Sequence, residues 1–154
     1  MPIASKAPDL LHGPLYVDTS ALLKLYFPEP DSGTVNLLLR GRSDVVISQL
    51  AITEMSSALA RRCREGGLDK NVAAVARKAV LAHVDNGVYH CVDLMPETHR
   101  EAERILSETA VTPLRAADAL HLALAKSART ISLLTYDVRM ANAARIVGLV
   151  TIPE

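Results

Sequence analysis

The feature that most limits the possible folds is an alternation. Short runs of β-branched and apolar residues are each followed by a longer stretch with helical spacing. The runs lie at 15–18 (LYVD), 44–48 (DVVIS), 88–92 (VYHCV), 130–135 (TISLLT) and 149–152 (LVTI). They are apolar on both faces and separated by helices. Strands of that kind need cover on both faces and a crossover between neighbours. The chain is therefore predicted to be an α/β fold, with a mainly parallel sheet of about five strands and helices on both sides.

The helices are marked by their punctuation. Residues 19–26 close before Pro28 and Pro30. Asp31 or Ser32 offers a cap to a helix over 35–40, which Gly41 stops. Residues 49–64 carry Leu50, Ile52, Met55, Ala58 and Leu59 as a buried stripe, and Gly66-Gly67 ends them. A helix over 69–84 is predicted to turn Val72, Val75, Ala76, Ala79 and Val80 inward. Asn86-Gly87 signals a turn, and Pro96 opens a helix carrying Ala102, Ile105 and Leu106. Residues 115–128 have Ala and Leu on nearly every face, which makes that helix central. A last helix over 137–147 stops at Gly148.

A chain of 154 residues fits one domain with a real core. Residues 15–154 are predicted to form it. Residues 1–14, with Pro2, Pro8 and Pro14 and no continuous apolar run, read as a flexible leader and not as a signal peptide. No run approaches the ~18 apolar residues of a membrane span. The formal net charge is +0, so nothing draws the whole molecule toward nucleic acid or an anionic membrane. A polyanionic partner would need a local basic patch. With no Trp and Phe27 as the one Phe, a base-stacking platform is disfavoured. Cys63 and Cys91 form no CxxC and are expected as buried free thiols in a reducing compartment.

Four acids stand at corners of this layout. Asp18 and Asp137 lie at the carboxyl ends of predicted strands. Glu54 lies in the first turns of the helix after the second strand, and Asp118 opens the central helix. An open parallel sheet binds ligands outside the carboxyl ends of its strands, near the point where strand order reverses, so all four can converge. Converging carboxylates repel, and without a counterion one must take up a proton. Hard oxygen donors favour magnesium or manganese, and such an ion suits hydrolysis of a phosphodiester. Each acid also has an ordinary role: Asp18 and Asp137 as helix caps, Asp118 as a first-turn acid, Glu54 as a solvated helix acid. The functional reading rests on the ordered set.

That set resembles the PIN-domain ribonucleases, and within them the VapC-type toxins of bacterial toxin–antitoxin pairs. The resemblance is carried by VDTSAL (17–22), AITEMSSA (51–58), LRAADALHLA (114–123, the most specific) and LTYDVRMANAA (134–144). It spans about residues 15–152. Tyr136 stands where Phe is common, Met140 where Leu is common, and the leader is longer than usual. The resemblance implies a PIN-like three-layer α/β/α sandwich and a cytoplasmic endoribonuclease dependent on magnesium or manganese, the toxin of a type II pair. It implies Asp18, Glu54 and Asp118 as metal ligands, with Asp137 in support through water or a second metal. It also implies helping hydroxyls at Thr19 or Ser20 and at Thr135, a homodimer, and a cognate antitoxin whose C-terminal segment covers the site.

Around the acids, Arg61, Arg115, Arg139 and Lys24 are candidate contacts to RNA phosphates, which would position RNA without reading its sequence. For each, a solvated or salt-bridged face is the alternative. His121, three residues after Asp118 on the same face, reads first as a hydrogen-bonded packing residue, with RNA contact or proton transfer second. His12, His83, His90 and His99 show no ligand spacing. One rival is a non-catalytic PIN-like module that binds RNA or protein. Another is a phosphate-handling domain with a nucleophilic aspartate. A haloacid-dehalogenase-like phosphatase, though, usually has a second Asp two residues after the first, where this chain has Ser20. A receiver would show adjacent acids before its first helix and a lysine near the last strand, and neither is evident.

Overall fold

The computed structural model describes residues 13–154. Five strands, β1 (Leu15–Val17), β2 (Val45–Ser48), β3 (His90–Val92), β4 (Ser132–Leu134) and β5 (Val150–Ile152), form one sheet in the order β3-β2-β1-β4-β5. Every pairing is parallel. The chain winds outward from β1 to β3, returns to place β4 beside β1, and winds outward again to β5. Strand order therefore reverses between β1 and β4, where two carboxyl ends diverge and leave a crevice.

The helices are α1 (Thr19–Tyr26), α2 (Ser32–Leu39), α3 (Gln49–Arg64), α4 (Lys70–Asp85), α5 (Pro96–Glu108), α6 (Ala116–Ser127) and α7 (Val138–Ile146). The two-residue period of the strands divides the core between two faces. Leu15, Val17, Val45, Ile47 and Leu134 pack with residues of α1 to α4. Tyr16, Val46 and Leu133 pack with α5, α6 and α7. The result is a three-layer α/β/α sandwich. Helix α6 is its most deeply set helix: Ala119, Leu122, Ala123, Leu124 and Ala125 are fully buried. No helix among the described residues is long and apolar enough to cross a membrane.

The sequence reading needs correction at four places. Val72 and Val75 do not face inward; they are 50% and 67% exposed. The buried face of α4 is Ala76 and Val80, with Ala73 and Val84 packed beside them. At 100° per residue Val72 falls to the side of that face and Val75 nearly opposite. In α3, Ile52, Met55 and Leu59 are buried as expected, but Leu50 and Ala58 are only half-buried. Neither Asp31 nor Ser32 caps α2 with its side chain. Asp31 takes a left-handed conformation (φ 69°) without a cap bond. The Ser32 hydroxyl accepts from Glu29 N and donates to Phe27 O, closing the turn before the helix. Cys63 and Cys91 are free thiols but half-buried. Of the predicted leader, residues 1–12, with His12, lie outside the described residues. Gly13 and Pro14 are tied to the fold: Gly13 O accepts from Arg42 Nη2 (2.8 Å), and Pro14 O accepts from Ile131 N (3.0 Å).

Candidate active site

Asp18 follows β1 directly and caps α1. Its Oδ1 accepts from Ala21 N (3.0 Å) and from the Ser20 hydroxyl (2.7 Å). Its Oδ2 accepts from the Thr135 hydroxyl (2.7 Å), which stands at the end of β4. That bond closes the crevice between β1 and β4. Thr135 Oγ1 in turn accepts from Asp137 N (3.0 Å), and Ser20 Oγ accepts from Tyr136 N (2.8 Å). Asp137 caps α7 through Oδ1, which accepts from Arg139 N (2.8 Å) and Met140 N (3.2 Å). Asp118, buried in the first turn of α6, accepts from Arg115 N through Oδ2 (3.0 Å). Thr135 thus links Asp18 to the backbone of Asp137, and Asp118 lies near enough to Asp137 to feel its charge.

Glu54, half-buried on α3, accepts through Oε2 from the Thr19 hydroxyl and from His121 Nε2 (2.6 Å). His121 is 1% exposed. Its Nδ1 lies 2.8 Å from the hydroxyl of Tyr16, which is also 2.8 Å from Ser48 Oγ. Ser48 caps α3 by accepting from Ala51 N (3.0 Å). His121 is therefore hydrogen-bonded, as its first reading had it, but inside the acid network and not in the apolar core. Tyr16 and Ser48 were not singled out from sequence. The available signal was a Tyr in the middle of an aliphatic strand, whose buried hydroxyl requires a partner.

The charges follow from this setting. Burial pushes the Asp18 carboxyl above the usual carboxylate range, against the bonds from Thr135, Ala21 and Ser20. Burial also raises Asp118, the Arg115 backbone bond opposes it, and the nearby charge of Asp137 adds to the rise. Partial burial raises Glu54, but the bonds from His121 and Thr19, with the charges of His121 and Arg115, outweigh it and leave the acid lowered. Buried acids pushed up by desolvation and by one another are what a cation relieves.

Among the described residues, no three His, Cys, Asp or Glu side chains form a ready-made coordination shell. The donor chemistry nonetheless fits a hard divalent ion. Glu54 and Asp118 each pin one carboxylate oxygen to protein, leaving Oε1 and Oδ1 without a hydrogen bond. Asp18 spends two bonds on Oδ1 but one on Oδ2. Asp18, Glu54, Asp118 and Asp137 could together hold such an ion, and no thiol competes.

The candidate cations separate. Arg115 acts on the charges of both Glu54 and Asp118. Arg139 Nη2 lies 3.6 Å from Asp137 Oδ2. Arg61 is exposed toward the end of α3 and pairs with none of the acids. Lys24 donates to Pro30 O (2.8 Å), pairs with Glu29 (3.7 Å) and lies 4.6 Å from the Tyr136 ring centroid, so its charge is engaged elsewhere. A hollow of about 330 Å³ opens beside Thr135, Tyr136 and Asp137, with Arg145 on its wall.

Known proteins share this fold. The PIN domain family model matches residues 15–146. Ribonuclease VapC46 of Mycobacterium tuberculosis is 33% identical over 141 residues, covering 90% of this chain and 95% of that protein. The fold is similar to that of Mycobacterium tuberculosis VapC20, a sarcin-ricin loop cleaving toxin (TM-score 0.66, 20% identity, 84% of this chain and 94% of that one). It is also similar to DNA-bound VapBC from Salmonella typhimurium (TM-score 0.62, 18% identity, 90% and 96%). With the sheet order, the crevice and the family match all lying over the same residues, the chain belongs to the PIN domain family.

Proposed function

We propose that this protein is a metal-dependent endoribonuclease that hydrolyses RNA phosphodiester bonds, the toxin of a type II toxin–antitoxin pair. The observation that carries the reading is the crevice between β1 and β4. Asp18, Asp118 and Asp137 stand at its helix caps, Glu54 reaches it from α3, and Glu54 and Asp118 each keep one oxygen unbound. Ribonuclease VapC46, alike along nearly the whole chain, supports the activity. The VapBC complex supports a cognate antitoxin as partner. A homodimer acting in the cytoplasm, where RNA and antitoxin meet, completes the proposal.

Asp18, Glu54 and Asp118 would hold magnesium or manganese, with Asp137 in support. When bound, such an ion supplies positive charge to the scissile phosphate and acidifies an attacking water. The chain's own residues do the rest. Thr135 and Ser20 fix Asp18, while Thr19 and His121 fix Glu54. Arg115 and Arg139 draw neighbouring phosphates toward the acids, holding RNA without reading its bases. No side-chain nucleophile is needed.

The test is cleavage of mixed structured and single-stranded RNA by the antitoxin-free protein, with magnesium, with manganese and with chelator, beside Asp118→Asn. The expected result is cleavage that requires metal and falls at least about 100-fold in the variant. A folded protein that cleaves no RNA under either metal would replace this reading with a non-catalytic binding module. Cleavage surviving both chelator and Asp118→Asn would exclude the acid site.

A further inference from the structure

We propose that Tyr16 and His121 are positioning residues for Glu54: a buried hydroxyl–imidazole strut that occupies one carboxylate oxygen and thereby presents the other to the cation. The inference rests on the reading of Glu54 as a metal ligand.

The strut runs Ser48–Tyr16–His121–Glu54–Thr19, with each member on a different element: the end of β2, β1, α6, α3 and α1. Tyr16 is 0% exposed and its ring meets the imidazole edge-on, with centroids 5.9 Å apart. Polar groups buried this deeply stay only if paired, and here each pairs with the next. The proton inventory fixes the direction. A carboxylate only accepts, so His121 Nε2 must carry the hydrogen that Glu54 Oε2 receives. Nδ1 and the Tyr16 hydroxyl share the next hydrogen bond of the strut (2.8 Å). Beyond it, the Tyr16 hydroxyl donates to Ser48 Oγ (2.8 Å), so Ser48 completes Tyr16.

The consequence concerns Glu54 alone. Its side chain rises from a half-buried helix position with several rotatable bonds, and nothing on α3 itself restrains it. The strut removes that freedom and keeps Oε1 unbonded. Partners of this kind behind metal ligands change metal affinity about 10–100-fold when removed.

The test reads Mn²⁺ affinity from the paramagnetic resonance signal of free Mn²⁺, with melting midpoints to verify folding. It compares wild type, Glu54→Gln, Tyr16→Phe, His121→Leu and His121→Gln. Phe keeps the ring and removes only the hydroxyl; Gln keeps a nitrogen donor near the place of Nε2. The expected result is about tenfold weaker binding in Tyr16→Phe and about 10–100-fold in His121→Leu, with most of the loss recovered in His121→Gln. Nitrogen resonances of the metal-free wild-type ring should show hydrogen on Nε2, and Tyr16→Phe should shift the Nδ1 resonance. If Glu54→Gln weakens binding while Tyr16→Phe and the folded His121 variants stay within about twofold of wild type, the strut is packing only and the metal reading stands. An Nε2 without hydrogen in the wild type would also overturn the proposal. A wild type that binds no Mn²⁺ removes Glu54 as a ligand and the strut's role with it. Should His121→Leu not fold, Tyr16→Phe and His121→Gln decide.

Discussion

Asp118 holds two roles that pull against each other. Its Oδ2 closes the first turn of α6 on Arg115 N, while its charge is buried and faces Asp137. Burial raises its pKa, so the sign of its effect is set. Between its ordinary value and the raised one, the folded chain keeps a proton that the unfolded chain has released. Metal-free stability therefore falls as pH rises through that window. Glu54 has the opposite sign: its lowered pKa contributes stability above the ordinary carboxylate value, which is lost as pH falls through the lowered one. Asp118→Asn keeps an oxygen for Arg115 N and removes the charge. In chelator it should be more stable than wild type by about 1 kcal/mol near neutral pH, the gain usual when a strained functional acid is neutralised. Its stability should lack the fall that Asp118 causes. Denaturant unfolding across pH measures both; a variant less stable than wild type at neutral pH would show that the acid is not under electrostatic strain.

At the scale of elements, α6 and α4 show what sequence pattern conveys. In α6 nearly every position is apolar and small, so any rotation about its axis buries it, and its central place was legible. Leu122 is fully buried among α5, α7 and the sheet, and Leu122→Ala should cost about 2–5 kcal/mol in denaturant unfolding. Val75→Ala, on the open side of α4, should change stability by less than about 0.5 kcal/mol. Equal costs at the two sites would contradict the assigned faces. In α4 the residues Val72, Ala73, Val75, Ala76, Ala79, Val80 and Val84 offer two overlapping apolar stripes. Periodicity does not choose between them; packing against α3 and the sheet does. The turn before α2 was likewise hidden, because Ser32 serves the preceding loop instead of the helix.

At the scale of the molecule, the alternation of strands and helices, the parallel sheet and the crevice were legible, because each follows from periodicity and short connections. The four acids were legible as corners. Their hydrogen bonds were not, since those join residues far apart in the chain: Thr135 reaches Asp18 across 117 positions and Tyr16 reaches His121 across 105. Only the reversal of strand order between β1 and β4 brings them together. Lys24 shows the same gap in the other direction, a cation near the site in sequence whose charge the fold engages with Glu29 and Tyr136.

That the four acids share a divalent cation is tested most directly by anomalous diffraction from crystals of the antitoxin-free protein soaked in Mn²⁺. The predicted result is a strong manganese peak in the crevice between β1 and β4, within coordination distance of carboxylate oxygens of Asp18, Glu54 and Asp118, with Asp137 beside it. That peak should be absent in Asp118→Asn. Wild-type crystals with no peak there, grown from protein that cleaves RNA in the same manganese buffer, would contradict it.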